Sequence, residues 1–167
     1  MCKKILVLTG SPNREGNSTK MADAFIRGAE QAGHSVTKFE TAFKNMRGFT
    51  SEPDDMVALI PLMNACDVLL IATPLYWFSF PAQLKAVIDQ LDYSEESKML
   101  NKDSYFFISG GEKDDDTYQL ITSLYHKITA YLAWQEKGML QARGLDAPGE
   151  IEKSGLLKQA EEMGKSI

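Results

Sequence analysis

The run Val68-Leu-Leu-Ile-Ala72 is apolar at every position, so a strand made from it has no face to turn to water. Strands of that kind sit inside parallel sheets whose crossover helices cover both faces, and this one run confines the chain to an α/β arrangement. Two further runs, Ile5-Leu-Val-Leu8 and Tyr105-Phe-Phe-Ile108, have the same character. Between them the spacing turns helical. Ala22, Phe25, Ile26 and Ala29 recur at i, i+3, i+4 and i+7, which predicts a helix over about 18–32 closed by Gly33.

The remaining segments fill in the alternation. His34 to Thr41 reads as a less buried strand, with His34 a turn residue rather than a ligand, and 42–53 as a loop. Asp54 and Asp55 start a second helix carrying Met56, Leu59, Ile60 and Met63, with a kink expected near 57–61 because Pro61 interrupts its hydrogen-bond ladder. A third helix starts near Ser79 to Pro81 and turns Leu84, Val87, Ile88 and Leu91 inward. The acidic run Asp114 to Asp116 opens a fourth, with Ile121, Leu124, Ile128, Tyr131 and Leu132 inward and His126 on the surface. Gly138 to Ala142 is a short fifth strand, and a helix over about 151–163 follows, with Leu156, Ala160 and Met163 as its inner stripe. Five strands alternating with five helices give a five-stranded parallel sheet of order 2-1-3-4-5, with helices on both faces, from one domain spanning 1–167.

Charge removes several classes of function. A net charge of −5 and the lack of a basic stripe argue against nucleic acid, whose phosphates are held by clustered Lys and Arg. The first apolar run is far too short for a signal or a membrane span, so the expected location is the cytoplasm, with no membrane partner. Cys2 and Cys66 make neither a disulfide framework nor a metal site, and Cys66 reads as a small buried hydrophobe.

In a sheet of this order the carboxyl ends of strands one, three and four share a crevice at the switch point where ligands bind. The first of the three loops there is Gly10-Ser-Pro-Asn-Arg-Glu-Gly-Asn-Ser-Thr19. It opens a helix whose free N–H groups attract an anion, and Ser11, Asn13, Asn17, Ser18 and Thr19 could add side-chain donors for one terminal phosphate. It lacks the lysine of a P-loop and the glycine spacing of a dinucleotide fingerprint. The same residues also fit plain turn and N-cap chemistry. The second loop, Pro74, Leu75, Tyr76, Trp77 and Phe78, is apolar and aromatic where a rim loop should be polar, which marks a binding surface, a hydrophobic staple or a dimer contact. The third, Ser109, Gly110 and Gly111, offers backbone amides with little side chain in the way. A flat aromatic ligand with a phosphate tail, such as flavin mononucleotide (FMN), would satisfy all three.

These motifs, with Pro81-Ala-Gln-Leu-Lys85, Ile88-Asp89 and Gly149-Glu-Ile151, resemble the NADPH-dependent FMN reductase family of flavodoxin-like flavoproteins over residues 3 to about 165. The resemblance implies a flavodoxin-like three-layer fold. It implies FMN held at its phosphate by Ser11, Asn13, Asn17, Ser18 and Thr19, and at its ring by Pro74, Leu75, Tyr76, Trp77, Phe78, Ser109, Gly110 and Gly111. The Asp54-Asp-Met56 segment is similar to the iron–sulfur flavoprotein branch, which carries closely spaced cysteines just before that point. Residues 42–53 contain none here, so no cluster and no other metal is expected.

The expected function is then an FMN-dependent oxidoreductase that takes electrons from NADH or NADPH and delivers them, by a ping-pong scheme, to a quinone, a nitro or azo compound, or a flavin. No catalytic side chain is required, because the flavin carries the chemistry. The alternative is a flavodoxin-type electron carrier. A homodimer is expected from the resemblance and from Tyr76 to Phe78 and Phe80 as an exposed apolar group. Residues 42–53 and 93–103 are the segments long enough to border the pocket, and neither is bulky enough to cover the ring.

Overall fold

A computed structural model describes residues 1–91 and 98–167. Its strands are β1 (Lys4–Thr9), β2 (Ser35–Glu40), β3 (Val68–Pro74), β4 (Asp103–Gly110) and β5 (Gln135–Arg143), and they form one parallel sheet of order β2-β1-β3-β4-β5. The helices are α1 (Asn17–Gln31), α2 (Met56–Ala65), α3 (Ala82–Asp89), α4 (Asp115–Tyr131) and α5 (Leu156–Lys165).

Alternation along the strands sorts the core into two layers. Ile5, Val7, Val68, Leu70, Ala72, Tyr105, Phe107, Leu140 and Ala142 turn to one face and pack against α1 and α5. Leu6, Leu8, Leu69, Ile71, Phe106 and Ile108 turn to the other and meet α2, α3 and α4. The period of two that separates neighbouring side chains across a sheet thus gives β1, β3 and β4 two buried faces each. Cys66, just past α2, is buried with its thiol donating to the Met63 carbonyl, and burial pushes that thiol up from its ordinary range. His34 accepts the Lys3 N–H at 3.2 Å, as a turn residue would.

Four expectations are corrected. The last helix is broken in two: a 3-10 turn over Glu150–Lys153 precedes α5, because Gly155 stands between them at φ +74°, outside helical space. In α4 the inner stripe is Tyr118, Ile121, Tyr125 and Thr129, with Leu124 and Ile128 half-buried; Tyr131, at the end of the last turn, is 71% exposed. Ile60 is exposed rather than inward. Phe80 is buried against Phe106 with ring centroids 5.7 Å apart and so belongs to the core, not to an exposed group. Among the described residues, no helix is long and apolar enough to cross a membrane.

Candidate functional site

β1, β3 and β4 end side by side, and short backbone links hold their loops together: Gly10 donates to the Ala72 carbonyl at 2.9 Å and Leu75 to the Ser109 carbonyl at 2.8 Å. Above them lies a cavity of about 220 Å³ lined by Ser11, Asn13, Asn17 and Ser18 from the first loop, Pro74 to Tyr76 from the second, and Ser109 to Gly111 from the third. The remaining wall comes from Leu145, Asp146 and Pro148, after β5.

Where α1 opens, its N-cap is Gly16, which has no side chain to close the helix end. The first amide bonded within that turn is Lys20, which donates to Gly16 at 3.0 Å. Among the described residues, the N–H groups of Asn17, Ser18 and Thr19 therefore have no acceptor, although all three residues are buried. Three free donors at buried residues and the positive end of a 15-residue dipole are chemistry that suits an anion. The hydroxyls follow a more restricted pattern than the sequence implied. Ser11 is committed to a turn with Asn13, accepting its N–H at 3.1 Å and donating to its carbonyl at 3.0 Å, and Thr19 donates to that same carbonyl at 3.0 Å. Asn17 spends its amide on the far loop: its nitrogen donates to the carbonyls of Leu145 and Ala147, and its oxygen accepts the Ile151 N–H. Ser18 makes no side-chain hydrogen bond among the described residues, and neither does the Asn13 amide nitrogen. Turn chemistry thus accounts for Ser11, while Ser18 remains a free donor beside the free amides.

The opposite side is a glycine cradle. A Cβ on Gly111 would lie 1.8 Å from an Asp146 carboxylate oxygen, and one on Gly110 would lie 2.8 Å from the Tyr118 hydroxyl. A side chain at Gly110 would meet the buried Tyr118, and one at Gly111 would have to displace the Asp146 carboxylate, so both glycines leave the backbone bare at the cavity.

Trp77 and Phe78 stand apart from this cavity. Tyr76 and Ser79 exchange two backbone hydrogen bonds, 3.1 and 3.0 Å, and the two residues between them form a tight turn at φ +47° and +63°. Turns of this kind favour Gly or Asn, and bulky aromatic residues there carry strain that persists only where the surroundings enforce it. The turn holds Trp77 out at 93% exposure. Both rings border a second hollow of about 300 Å³ with Glu112 and Thr117, which shares Leu75, Gly110 and Gly111 with the first.

Of the predicted site residues, the cavity unites Ser11, Asn13, Asn17, Ser18, Pro74, Leu75, Tyr76, Ser109, Gly110 and Gly111. It does not take in Thr19, whose hydroxyl goes to the Asn13 carbonyl, nor Trp77 and Phe78, which border the neighbouring hollow. Residues 42–53 do not border it, and 93–97 lie outside the described residues. Leu145, Asp146 and Pro148 were missed because 144–149 has no periodicity; β5 ends next to β4, so extending the rim argument one strand further finds them. Cations are held elsewhere: Lys20 pairs with Glu152 and Glu15, and Arg14 pairs with Glu40 while lying 4.2 Å over the Phe43 ring.

Comparison with known proteins adds sequence likeness to this geometry. A model of the NADPH-dependent FMN reductase family matches residues 3–133. The chain is 24% identical over 161 residues to the putative NAD(P)H-dependent FMN-containing oxidoreductase YwqN of Bacillus subtilis, covering 89% of this chain and 88% of that one. It is 30% identical over 99 residues to an iron-sulfur flavoprotein of Archaeoglobus fulgidus, a match that takes in 53% of this chain and only 45% of the relative's length. In fold it is similar to the NAD(P)H:quinone oxidoreductase from Methanothermobacter marburgensis, with a TM-score of 0.79 at 18% identity over 99% of this chain and 96% of that one.

Proposed function

The chain belongs to the NADPH-dependent FMN reductase family, which makes it an FMN-using oxidoreductase, and from that premise we propose where FMN binds and what the site does. The phosphate takes the free amides of Asn17, Ser18 and Thr19 with the Ser18 hydroxyl, and the ring lies against Pro74 to Tyr76 and the bare backbone of Ser109 to Gly111. One observation carries this assignment: the start of α1 leaves three amides without acceptors among the described residues, and two of the residues that carry them, Asn17 and Ser18, line the same cavity as the glycine cradle. The residues present fit the group. A phosphate completes the hydrogen bonds that the chain leaves unmade, and glycines leave room for a flat ring.

Bound there, FMN supplies the two-electron exchange with NADH or NADPH and then with a quinone, a nitro or azo compound, or a free flavin. The protein binds, orients and leaves access. Backbone amides directed into the cavity stabilise negative charge without any side chain having to react. The second hollow borders the first and lies open to solvent, so one opening serves the nicotinamide and the acceptor in turn, a ping-pong scheme. The exposed Tyr76–Phe78 turn is the surface for a second copy of the chain.

The protein should purify yellow or take up added FMN, and anaerobic NADH or NADPH should bleach it within seconds, with a small quinone restoring the colour. Protein that stays colourless in excess FMN sinks the flavin site. Flavin that remains oxidised for many minutes in excess of both nucleotides turns the reading to the electron carrier.

A further inference from the structure

Asp146 is the one charged residue among the described residues lining the cavity. Its carboxylate lies over Gly111, where one oxygen comes within 1.8 Å of the position a Cβ would take, and this close approach depends on Gly111 being a glycine. Two backbone bonds hold the segment that carries it against the third loop, Gly144 to the Glu112 carbonyl at 2.8 Å and Leu145 to the Gly110 carbonyl at 3.0 Å. Among the described residues, this carboxylate has neither a hydrogen bond nor an ion pair. The cavity is therefore polar in a directional sense, with unpaired donors at the start of α1 and an unpaired anion at the end of β5.

That arrangement does more than hold a phosphate. A ring bound between these ends is neutral when oxidised and gains negative charge on reduction. Asp146 is exposed at the cavity mouth, and its carboxylate, set over Gly111, leaves the first state nearly untouched and opposes the second. We propose that Asp146 is a specificity-determining residue that makes the site hold oxidised FMN in preference to reduced FMN, and so makes the bound cofactor a stronger reductant. The inference rests on the FMN reading above. In functional terms it biases the enzyme toward giving electrons away once the nicotinamide has delivered them.

The test is Asp146→Asn, which keeps the shape and removes the charge. The affinity for oxidised FMN is measured by fluorescence quenching, and the two-electron midpoint potential of the bound cofactor by equilibration with a reference dye. Relative to oxidised FMN, reduced FMN should bind on the order of tenfold more tightly to the variant, which raises the potential by about 30 mV. Asp116→Asn removes an exposed charge on α4, outside the cavity, and should leave the potential where it is. An Asp146→Asn protein that binds FMN at the wild-type potential overturns the proposal. So does an equal rise in Asp116→Asn, which would make the effect one of net charge alone. A wild-type protein that binds no FMN removes the underlying reading instead, and the two failures are distinguished by that first titration.

Discussion

Ser18 combines the properties that make a single side chain decisive: it lies in the first turn of α1, it is buried, and its hydroxyl is uncommitted. Ser18→Asp should place a carboxylate among the three free amides, where it satisfies them itself and suits the helix dipole. The apoprotein should therefore melt no lower than wild type, while FMN binding weakens on the order of a hundredfold through charge repulsion at short range. Riboflavin, which lacks the phosphate, should bind wild type much more weakly than FMN and should be nearly indifferent to the substitution. Equal affinity of wild type for FMN and riboflavin in a fluorescence titration would exclude this nest as the phosphate site. The residue types of the nest were legible because a strand, a glycine-containing loop and a helix start follow one another without a break. Which polar side chain was free was not legible, because Thr19 and Asn17 are claimed by partners that the fold supplies, and Asn17's partners lie more than a hundred residues away.

At the scale of elements, the position of α1 depends on α5. Their backbones meet through two glycines: a Cβ on Gly28 would fall 2.0 Å from the Glu161 carbonyl oxygen, and one on Gly164 would fall 2.1 Å from that of Phe25. Both contacts are with backbone, so no side chain can yield, and one added methyl group must move a helix. Gly164→Ala should cost about 2–3 kcal/mol, lowering the melting temperature by roughly 5–10 °C in a chain of this size, as calorimetry would measure. A wild-type melt would mean that the two helices separate freely. Helix–helix contact of this kind left no trace in the hydrophobic pattern, since glycine has no side chain to be periodic. The sheet, by contrast, was readable in its order, because three fully apolar runs admit few arrangements and right-handed crossovers reduce those further; the fifth strand runs over Gln135–Arg143 rather than the short Gly138 to Ala142, because its polar first residues carry no apolar signal. The division of the last helix at Gly155 was hidden for the opposite reason, as residues on both sides of it keep a helical spacing.

For the whole molecule, the strained turn at Trp77 and Phe78 predicts association. An indole held 93% exposed by two residues in left-handed conformations loses contact with water at low cost when a second copy covers it. Sedimentation at micromolar concentration should give a species of twice the chain mass, and Trp77→Ala should shift it toward monomer and weaken FMN binding together; a wild-type monomer at every concentration would refute the assembly. The Asn17 amide carries a different consequence, one of timing. It joins the α1 end of the cavity to Leu145, Ala147 and Ile151, residues translated long after it. While the chain is being made, strands one to four can pair and α1 can wind, yet the cavity has no fourth wall until residue 151 has left the ribosome. The cavity is thereby completed only near the end of the domain's synthesis, and a chain interrupted before that leaves Asn17 without the loop it closes on.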